Sequence, residues 1–332
     1  MKKMTMLGFF FASSLSFPAC ATNAHQMSKN IVEGNSAALR GDFETSVSSY
    51  ETALAHVPES APAKRNLGIV LVRVGNYERA RKVLQEAVRM YPADLEVFYF
   101  LGEANRGIEN YKEAIQAYQK ALSLETGDLR TQKALAWTFI KIGEYDKALF
   151  LAQPQLAKSP NDTQLRLILA TVYNRKKMYA EAQLTLKPVE SSGFTIANAE
   201  KTSADSEKVL LMTALADAEY GLTNFSKAAL LYAEVVKMRP FYADALIGSA
   251  KCDIRSSQSP RAIIKLERTL KTDKNNPEAL YLLAKLSEKV DERKAISFYK
   301  SFLKAAKGRS ELKEAVKRSR KAVAKLNSAS LE

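Results

Sequence analysis

Side chains that could do chemistry are few in this chain of 332 residues. It contains two histidines, His25 and His56, and two cysteines, Cys20 and Cys252. A zinc site needs a set of nitrogen and sulfur ligands, and a nucleophilic thiol needs a base to activate it. These four residues make no convincing set of either kind, and no glycine-rich phosphate-binding loop occurs. The sequence therefore predicts a protein that is not an enzyme and holds no metal or cofactor.

The N-terminus has the layout of an export signal. Three residues, Met1-Lys2-Lys3, give a basic start, and the apolar run MTMLGFFFASSLSF follows at 4–17. Such a run is too short to span a bilayer, which takes roughly 20 residues, but it is typical of a signal-peptide core. We expect residues 1–20 to be a signal peptide.

The processing of this signal has three alternatives. Cleavage before Cys20 would leave a lipidated N-terminal cysteine, as in bacterial lipoproteins, although Phe17 and Pro18 depart from the usual residues there. Cleavage after Ala21 would release a soluble periplasmic protein that begins at Thr22, and an uncleaved anchor is the third alternative. We favour lipidation. Since Ala21 and not Asp follows Cys20, the resemblance to bacterial lipoproteins implies an outer-membrane lipoprotein that faces the periplasm.

Composition indicates a folded, helical and locally basic chain. Apolar residues make up 46% and charged residues 26%, with only 13 glycines and 10 prolines. Of the net charge of +14, +11 lies between Lys251 and the C-terminus, where 21 Lys and Arg face 10 Asp and Glu. Both cleavage routes leave Cys252 as the one free thiol. It lies in the helical pattern ALIGSAKCDI, so we expect a small buried side chain.

One phrase recurs along the chain at a constant interval. Its alanine position is occupied by Ser46, Ala80, Ala114, Ala148, Ala182, Ala228 and Ala262, and every step has the same length except Ala182 to Ala228, which is twelve positions longer. In the second copy, Ala80, Leu84 and Ala87 fall on one helical stripe, whereas Arg81 and Lys82 fall on the opposite face. One such hairpin cannot bury its apolar face alone, so neighbouring hairpins must stack.

The pattern resembles the tetratricopeptide repeat. Small residues recur on the first helices, an aromatic precedes the alanine by three residues, and Pro58, Pro92, Pro160 and Pro240 close repeats. The resemblance implies an all-α solenoid of seven or eight helix-turn-helix repeats in a right-handed superhelix with a C-terminal capping helix. The expected divisions are repeats one to five at 28–190, an extended connection or hinge at 191–208, repeats six to eight at 209–306, and a basic capping helix and tail at 308–332.

The resemblance also implies a peptide-binding groove lined by the first helices. Carried over onto this register, its positions are Arg65, Arg73, Tyr99, Arg106, Lys133, Trp137, Lys141, Asn174 and Arg175. Cations with aromatics suit an extended or helical, acidic protein segment. The alternative is that Trp137 packs between first helices and the cations are merely solvated. Ile69 and Glu103 stand where the chaperone-binding subfamily has asparagine, so that subfamily's carboxylate clamp is not expected.

The order of the segments along the chain suggests a function. Signal, candidate lipidated Cys20, repeats and size resemble the tetratricopeptide lipoproteins of pilus assembly, those of tight-adherence (Tad) pili in particular. We thus expect an exported scaffold for protein–protein interaction in an envelope machine such as a pilus or secretion apparatus. The alternative is a periplasmic adaptor for cell-wall enzymes, whose basic tail contacts anionic lipid or polymer. A nucleic-acid partner is not expected, because no recognition module accompanies the basic charge.

Overall fold

The computed structural model describes residues 17–193, 201–309 and 312–329. Most of the predicted signal peptide, residues 1–16, lies outside the described residues, as do 330–332. Within the described ranges the regular structure is helical and contains no strand, which confirms the all-α prediction. The helices are α1 Phe17–Leu39, α2 Phe43–His56, α3 Ala61–Arg73, α4 Tyr77–Met90, α5 Leu95–Gly107, α6 Tyr111–Leu124, α7 Leu129–Lys141, α8 Tyr145–Lys158, α9 Thr163–Arg175, α10 Tyr179–Ser191, α11 Lys201–Gly221, α12 Phe225–Met238, α13 Ala243–Arg255, α14 Ser259–Thr272, α15 Pro277–Ser287, α16 Glu292–Ala305 and α17 Lys313–Ala329.

These helices follow the sequence period. Even-numbered helices α2 to α10 begin at Phe43, Tyr77, Tyr111, Tyr145 and Tyr179, each one repeat period after the last. The chain thus forms eight successive helix pairs within the described residues, and α17 follows them as the predicted cap. We call the odd-numbered member of each pair its first helix and the even-numbered member its second helix.

The chain divides into two compact units. The first unit is Met1–Glu144, which holds α1 to α7, and the second unit is Tyr145–Glu332, which holds α8 to α17. In the first unit each helix contacts the next in sequence, and first helices also contact each other, α1 with α3, α3 with α5 and α5 with α7. In the second unit the same holds from α8 to α17, with α9 against α11 and α11 against α13. First helices therefore form a layer of their own in each unit.

Small residues allow the two helices of a pair to approach closely. Ala80, Leu84 and Ala87 of α4 are fully buried, as the stripe predicts. Gly68 of α3 faces Leu84, and a Cβ at Gly68 would lie 2.5 Å from the Cγ of Leu84. Any side chain at that place would overlap the leucine, so the glycine sets the spacing between the helices.

The turn inside seven of the eight pairs uses one left-handed residue. Gly75 has φ +78°, and the next residue, Asn76, donates its backbone N–H to the carbonyl of Leu71 at 2.9 Å, which closes the end of α3. The same repeat position is left-handed in six further pairs and is occupied by Gly41, Glu109, Gly143, Lys177, Thr223 and Ser257. Where the residue is not glycine, the backbone conformation costs free energy.

Five first helices begin with the same kind of side-chain cap. The caps are Ser60, Asp94, Asp128, Asp162 and Asn276, of which the first four are separated by one repeat period each, and each cap accepts a hydrogen bond from the backbone N–H three residues later. Such a cap satisfies a donor that the helix itself leaves unpaired and is worth about 1 kcal/mol.

Two predicted boundaries differ from the structure. Helix α1 begins at Phe17 and so extends well before residue 28, and α11 already begins at Lys201, so residues 201–208 are helix and not connection. Residues 194–200 of the predicted connection lie outside the described residues. The first unit ends at Glu144 and the second begins at Tyr145, outside 191–208, and the hinge stays a prediction.

Helix α17 caps the second unit with an apolar face against α16. Leu312, Ala315 and Val316 pack against Phe302 and Ala306. Ser319 interrupts the apolar stripe but is buried, and its hydroxyl donates to the carbonyl of Ala315 at 2.8 Å. The exposed faces carry the predicted cations Lys313, Lys317, Arg318, Arg320, Lys321 and Lys325.

Candidate binding surfaces of the two units

Arg65 lies on the first-helix layer of the first unit and is engaged by two carboxylates of the next pair. Its Nε donates to Oδ2 of Asp94 at 2.8 Å and its NH2 to Oε2 of Glu96 at 2.7 Å. Asp94 also caps α5 through its other oxygen, which accepts from the N–H of Val97 at 3.1 Å. This predicted groove cation is therefore held by its own chain.

Arg130 continues the same row of charges along α7. Its NH1 lies 3.7 Å from Oε1 of Glu96, and its guanidinium carbon lies 4.0 Å from the ring centre of Tyr99. Burial, together with the nearby carboxylate of Glu103, raises the pKa of Tyr99 to about 12, so the phenol stays neutral. Arg65, Glu96 and Arg130 thus alternate in sign across α3, α5 and α7.

Glu103 stands beside this row and binds two neighbours. It accepts from the guanidinium of Arg106 one turn later on α5 and from the hydroxyl of Tyr118 on α6. Burial and this carboxylate both raise the pKa of Tyr118, which keeps its proton on the hydroxyl. Arg106 is thus neutralised within its own pair, whereas Arg65 is neutralised by carboxylates of the next pair.

Among the remaining predicted residues of the first unit, two cations are exposed and two residues are half-buried. Arg73 and Lys141 are the last residues of α3 and α7; both are exposed, and neither is bonded to another side chain in the described part of the chain. Trp137 is half-buried in the middle of α7. Lys133 is half-buried and already interacts with another group of the protein. The exposed cations therefore lie at the C-terminal ends of first helices, where they also interact favourably with the helix dipole.

Asn174 and Arg175 occupy the end of α9 in the second unit. The amide nitrogen of Asn174 donates to the carbonyl of Ala214 on α11 at 2.7 Å, whereas its amide oxygen is buried and has no hydrogen-bond partner among the described residues. Arg175 is exposed and makes no described side-chain bond. Asn174 ties two first helices together, and Arg175 repeats the placement of Arg73 and Lys141 within their own unit.

Asp217 lies at the corresponding layer of α11. Its Oδ1 accepts from the hydroxyl of Tyr232 at 2.5 Å. Solvent reaches the carboxylate from one side, but protein surrounds its other sides, and this desolvation raises the pKa of Asp217 to about 6 against the opposing effects of Tyr232 and Lys251. Lys251 is itself paired with Glu278 on α15.

Glu219 is a buried carboxylate two residues further along α11. It accepts from the amides of Gln183 at 2.8 Å and Asn224 at 2.7 Å, and the ammonium of Lys227 lies 2.7 Å away. Burial alone would raise the pKa of Glu219, but these hydrogen bonds outweigh it and hold the pKa below its ordinary value. The site is fully satisfied, which identifies it as structural.

Comparison with known families agrees with this geometry. Two family models described as tetratricopeptide repeat match the chain, one at 65–128 and 213–277 and the other at 109–170. Their matches together cover half of the chain. The chain belongs to the tetratricopeptide repeat (TPR) proteins.

The chain shares a short stretch with a curated relative. Tetratricopeptide repeat protein 7B of Homo sapiens is 35% identical over 85 residues, which are 25% of this chain. The chain spans only 10% of the length of that relative. This match extends the family assignment and carries nothing about the activity of the whole relative.

Solved TPR structures share the fold of the chain. A TPR protein from Parabacteroides merdae aligns with 89% of this chain and 99% of its own at a TM-score of 0.54 and 15% identity. A chain of the APC/C hetero-tetramer Cut9–Hcn1 aligns with 90% of this chain and 57% of its own at 0.62 and 14%. The pilF protein of Pseudomonas aeruginosa aligns with 69% of this chain and 99% of its own at 0.53 and 16%. At these identities the likeness establishes the TPR solenoid fold and nothing finer.

The sequence analysis did not predict that carboxylates of the first helices bind neighbouring cations and tyrosines, although the spacing of the tyrosine pairs indicates some of these bonds. A tyrosine bonded to a polar residue 15 positions earlier recurs in three TPR pairs, Asn35 with Tyr50, Glu103 with Tyr118 and Asp217 with Tyr232. Aligning the repeats would have marked these pairs. Glu96 and Arg130 carry no comparable pattern.

The described residues show no further reactive centre. Cys252 is buried, as predicted, and burial together with the adjacent Asp253 raises the pKa of its thiol to about 11, so the thiol is protonated at neutral pH. No cluster of three or more His, Cys, Asp or Glu suited to a metal ion occurs in the described ranges. None of the described helices is both long and apolar enough to cross a bilayer. The TPR fold is typical of non-catalytic scaffolds.

Proposed function

We propose that this chain is an exported, non-catalytic TPR scaffold that binds acidic segments of partner proteins on the first-helix layer of its first unit. The observation that carries the proposal is the contrast between two groups of cations. Arg65 and Arg106 are saturated by carboxylates of their own unit, whereas Arg73 and Lys141 are exposed at helix ends and are bonded to no described side chain. The second group is available to a partner's carboxylates.

Exposed charges alone give little affinity. A solvated ion pair is worth about 0.2–1 kcal/mol, so two such cations would select an acidic segment without holding it tightly. Affinity then depends on apolar contact, for which Trp137 offers the largest accessible ring in the first unit. The proposed ligand is thus a segment with an apolar or aromatic anchor flanked by Asp or Glu.

An array of short synthetic peptides of varied charge, probed with the purified chain, tests this assignment. We expect the bound set to be enriched in Asp and Glu together with an apolar residue. The variant Arg73→Glu/Lys141→Glu should bind these peptides at least fivefold more weakly. The matched control Lys82→Glu/Lys112→Glu reverses two exposed charges on the second helices α4 and α6 and should bind like wild type. Equal losses in both variants would show that only net charge matters and would reject the site.

Export and lipidation at Cys20 are the second element of the proposal. The basic start, the apolar run at 4–17 and the cysteine next to Ala21 support them. An acylated protein stays with membranes in about 1 M salt, since each buried methylene contributes about 0.8 kcal/mol, whereas purely electrostatic adsorption is screened. We expect wild type to remain with outer membranes after such a wash and Cys20→Ser to be released. Identical fractionation with a mature N-terminus at Thr22 would replace this element by a soluble periplasmic protein.

The machine that the scaffold serves is proposed as a pilus or secretion apparatus of the tight-adherence (Tad) type. Support comes from the combination of export signal, candidate lipid anchor and TPR array. Deletion of the gene should abolish surface pili, and Arg73→Glu/Lys141→Glu should fail to restore them while Lys82→Glu/Lys112→Glu succeeds. Normal piliation of the deletion strain would exclude this role.

One observation favours a second candidate function, an adaptor for cell-wall enzymes that touches anionic envelope polymers. It is the row of exposed cations on α17, which packs on α16 through its apolar face only. Binding of wall polymers by the chain, lost on Lys317→Glu/Lys321→Glu while peptide binding persists, would support this candidate.

A further inference from the structure

Large apolar side chains protrude from the second helices of the second unit at one repeat position. Phe150 on α8, Leu184 on α10, Leu230 on α12 and Ile264 on α14 are 80%, 70%, 71% and 65% exposed. Each lies two residues after the buried alanine of its helix, that is after Ala148, Ala182, Ala228 and Ala262. We call these four residues the outer stripe.

The outer stripe is confined to the second unit. The same position in the first unit is occupied by Ser48, Lys82 and Gln116, which are polar. Single exposed apolar residues need no explanation, but four in one register on four successive second helices form a pattern that the fold does not require. The alanines two residues earlier are already fully buried and supply the packed face of each helix.

A cation accompanies every member of the stripe one helical turn away. Lys147 precedes Phe150 by three residues, Lys187 follows Leu184 by three, Lys227 precedes Leu230 by three and Arg261 precedes Ile264 by three. All four cations are exposed. Residues three apart on a helix are neighbours on its surface, so each apolar side chain stands beside a positive charge. Lys227 is shared with Glu190 and Glu219.

The surrounding unit is strongly basic. Residues 145–332 carry 33 Lys and Arg against 21 Asp and Glu, so +12 of the net +14 belongs to the second unit. Such a surface repels a second copy of itself and attracts a negatively charged partner. Exposed carboxylates also occur on these helices, Glu181, Glu234 and Glu267 among them, so charge alone would attract a partner only weakly.

We propose that the outer stripe rests on an anionic phospholipid bilayer, with its four apolar side chains inserted among the lipid head groups. The four side chains stand out from the surface rather than line a groove, and a peptide or helix needs a groove to bury its anchors. A bilayer closes around single protruding side chains, and its anionic head groups attract the basic residues beside them, of which Lys187 and Arg261 are bonded to no described side chain. This surface lies on the second helices and is distinct from the first-helix layer assigned above, and the proposal depends neither on export nor on Cys20.

Vesicle binding of the full chain tests the proposal. All variants carry Cys20→Ser, so the N-terminal residues contribute equally to each. The chain receives Ala233→Cys, which is exposed three residues after Leu230, and is labelled there with a polarity-sensitive dye, while the buried Cys252 is protected. We expect the dye emission to shift to the blue with vesicles of phosphatidylcholine and phosphatidylglycerol, and to shift much less with phosphatidylcholine alone.

The quadruple change F150Q/L184Q/L230Q/I264Q removes the stripe from exposed positions and should leave the fold intact. It should lower the partition coefficient onto the anionic vesicles at least tenfold, which is about 1.4 kcal/mol. The matched control V32Q/L39Q/V290Q removes three exposed apolar side chains elsewhere and should partition like the parent chain. Circular dichroism of each variant verifies that it is folded.

Three results would overturn the assignment. One is a dye that does not respond to anionic vesicles, and another is a quadruple variant that partitions like its parent. The third is binding of an acidic amphipathic peptide, but of no vesicle, in a manner that depends on the stripe, which would reassign the surface to a protein partner. Failure of the peptide-array experiment on the first-helix layer would leave this result unaffected, because the two variants share no residue.

Discussion

Tyr77, the first residue of α4, lies directly against Gly107, the last residue of α5. A Cβ added at Gly107 would lie 2.3 Å from Cγ of the tyrosine ring. Tyr179 and Gly221 repeat this contact in the second unit, also at 2.3 Å. In both places the aromatic that opens a second helix is thus pinned to the end of the next first helix, and it links successive TPR pairs.

We expect Gly107→Ala to lower the free energy of unfolding by about 1–3 kcal/mol, because the ring atoms nearest the backbone of Tyr77 cannot move away easily. Urea denaturation followed by circular dichroism measures the change. Gly127→Ala is the control, because nothing lies within 4 Å of a Cβ at Gly127. In a Tyr77→Ala background the added methyl has room, so there Gly107→Ala should no longer destabilise. A persistent loss would mean that the contact with Tyr77 is not the cause.

Thr223→Gly should stabilise the protein by about 1 kcal/mol, because Thr223 has φ +65° in the turn between α11 and α12 and a β-branched residue is unfavourable in the left-handed region. The reciprocal change Gly75→Thr, at φ +78° in the turn between α3 and α4, should destabilise by about 1–2 kcal/mol. Thermal unfolding of both variants checks the pair of signs. Shifts of the same sign would show that the turn conformation does not control stability here.

Much of the fold could be predicted because one period encodes it. The alanines at constant steps and the aromatics before them place the start of α4 at Tyr77 and of α6 at Tyr111, as the structure has them. The predicted start of the first repeat, residue 28, lies inside α1, because this helix extends beyond the repeat consensus to Phe17. The repeat period predicts only those features that all repeats have in common, so it could not predict this extension.

The candidate site was less predictable for the same reason. Arg65 was placed on the first-helix layer, but its bonds to Asp94 and Glu96 join residues 29 and 31 positions apart in two different repeats. Such pairs depend on individual side chains that other repeats lack, so no pattern marks them. The assignment of Arg65 and Arg106 to a peptide groove stays a prediction, with the added condition that a ligand must compete with their present partners.

Asp217→Asn should flatten the pH dependence of stability in acid. The pKa of Asp217 is raised from its ordinary value of 3.8 to about 6 in the folded chain, so the folded state favours the protonated carboxyl. Its contribution to stability is then fully present below about pH 4 and is lost as the pH rises through 6. The loss is smaller than the full shift implies, because solvent reaches the carboxylate. Lys251, Arg175 and Asp244 face the same group.

Unfolding free energies measured from about pH 4 to neutral pH check this prediction for Asp217. Asparagine retains an oxygen that accepts from Tyr232, so the variant should keep that hydrogen bond while losing the titration. Asp205→Asn, at an exposed position of α11, is the control and should follow the wild-type profile. A wild-type and an Asp217→Asn profile that run parallel over this range would refute the assignment.

Glu219→Gln should be the most damaging of these changes, with a loss of about 2–4 kcal/mol in the free energy of unfolding. The side chain is fully buried and accepts from Gln183 and Asn224 beside the ammonium of Lys227, and glutamine would turn an amide donor toward groups that are themselves donors. The pKa of Glu219 is held below its ordinary 4.5, so the carboxylate contributes stability above that pH and the contribution is lost as the pH falls. The difference in unfolding free energy between wild type and variant should therefore be large at neutral pH and should shrink below about pH 4.5.

Glu190→Gln is the control, because it removes the other carboxylate bonded to Lys227 from a more exposed place, and it should cost less than about 1 kcal/mol. Equal costs at the two positions would mean that Lys227 alone, and not the buried cluster around Glu219, stabilises the junction of α10, α11 and α12.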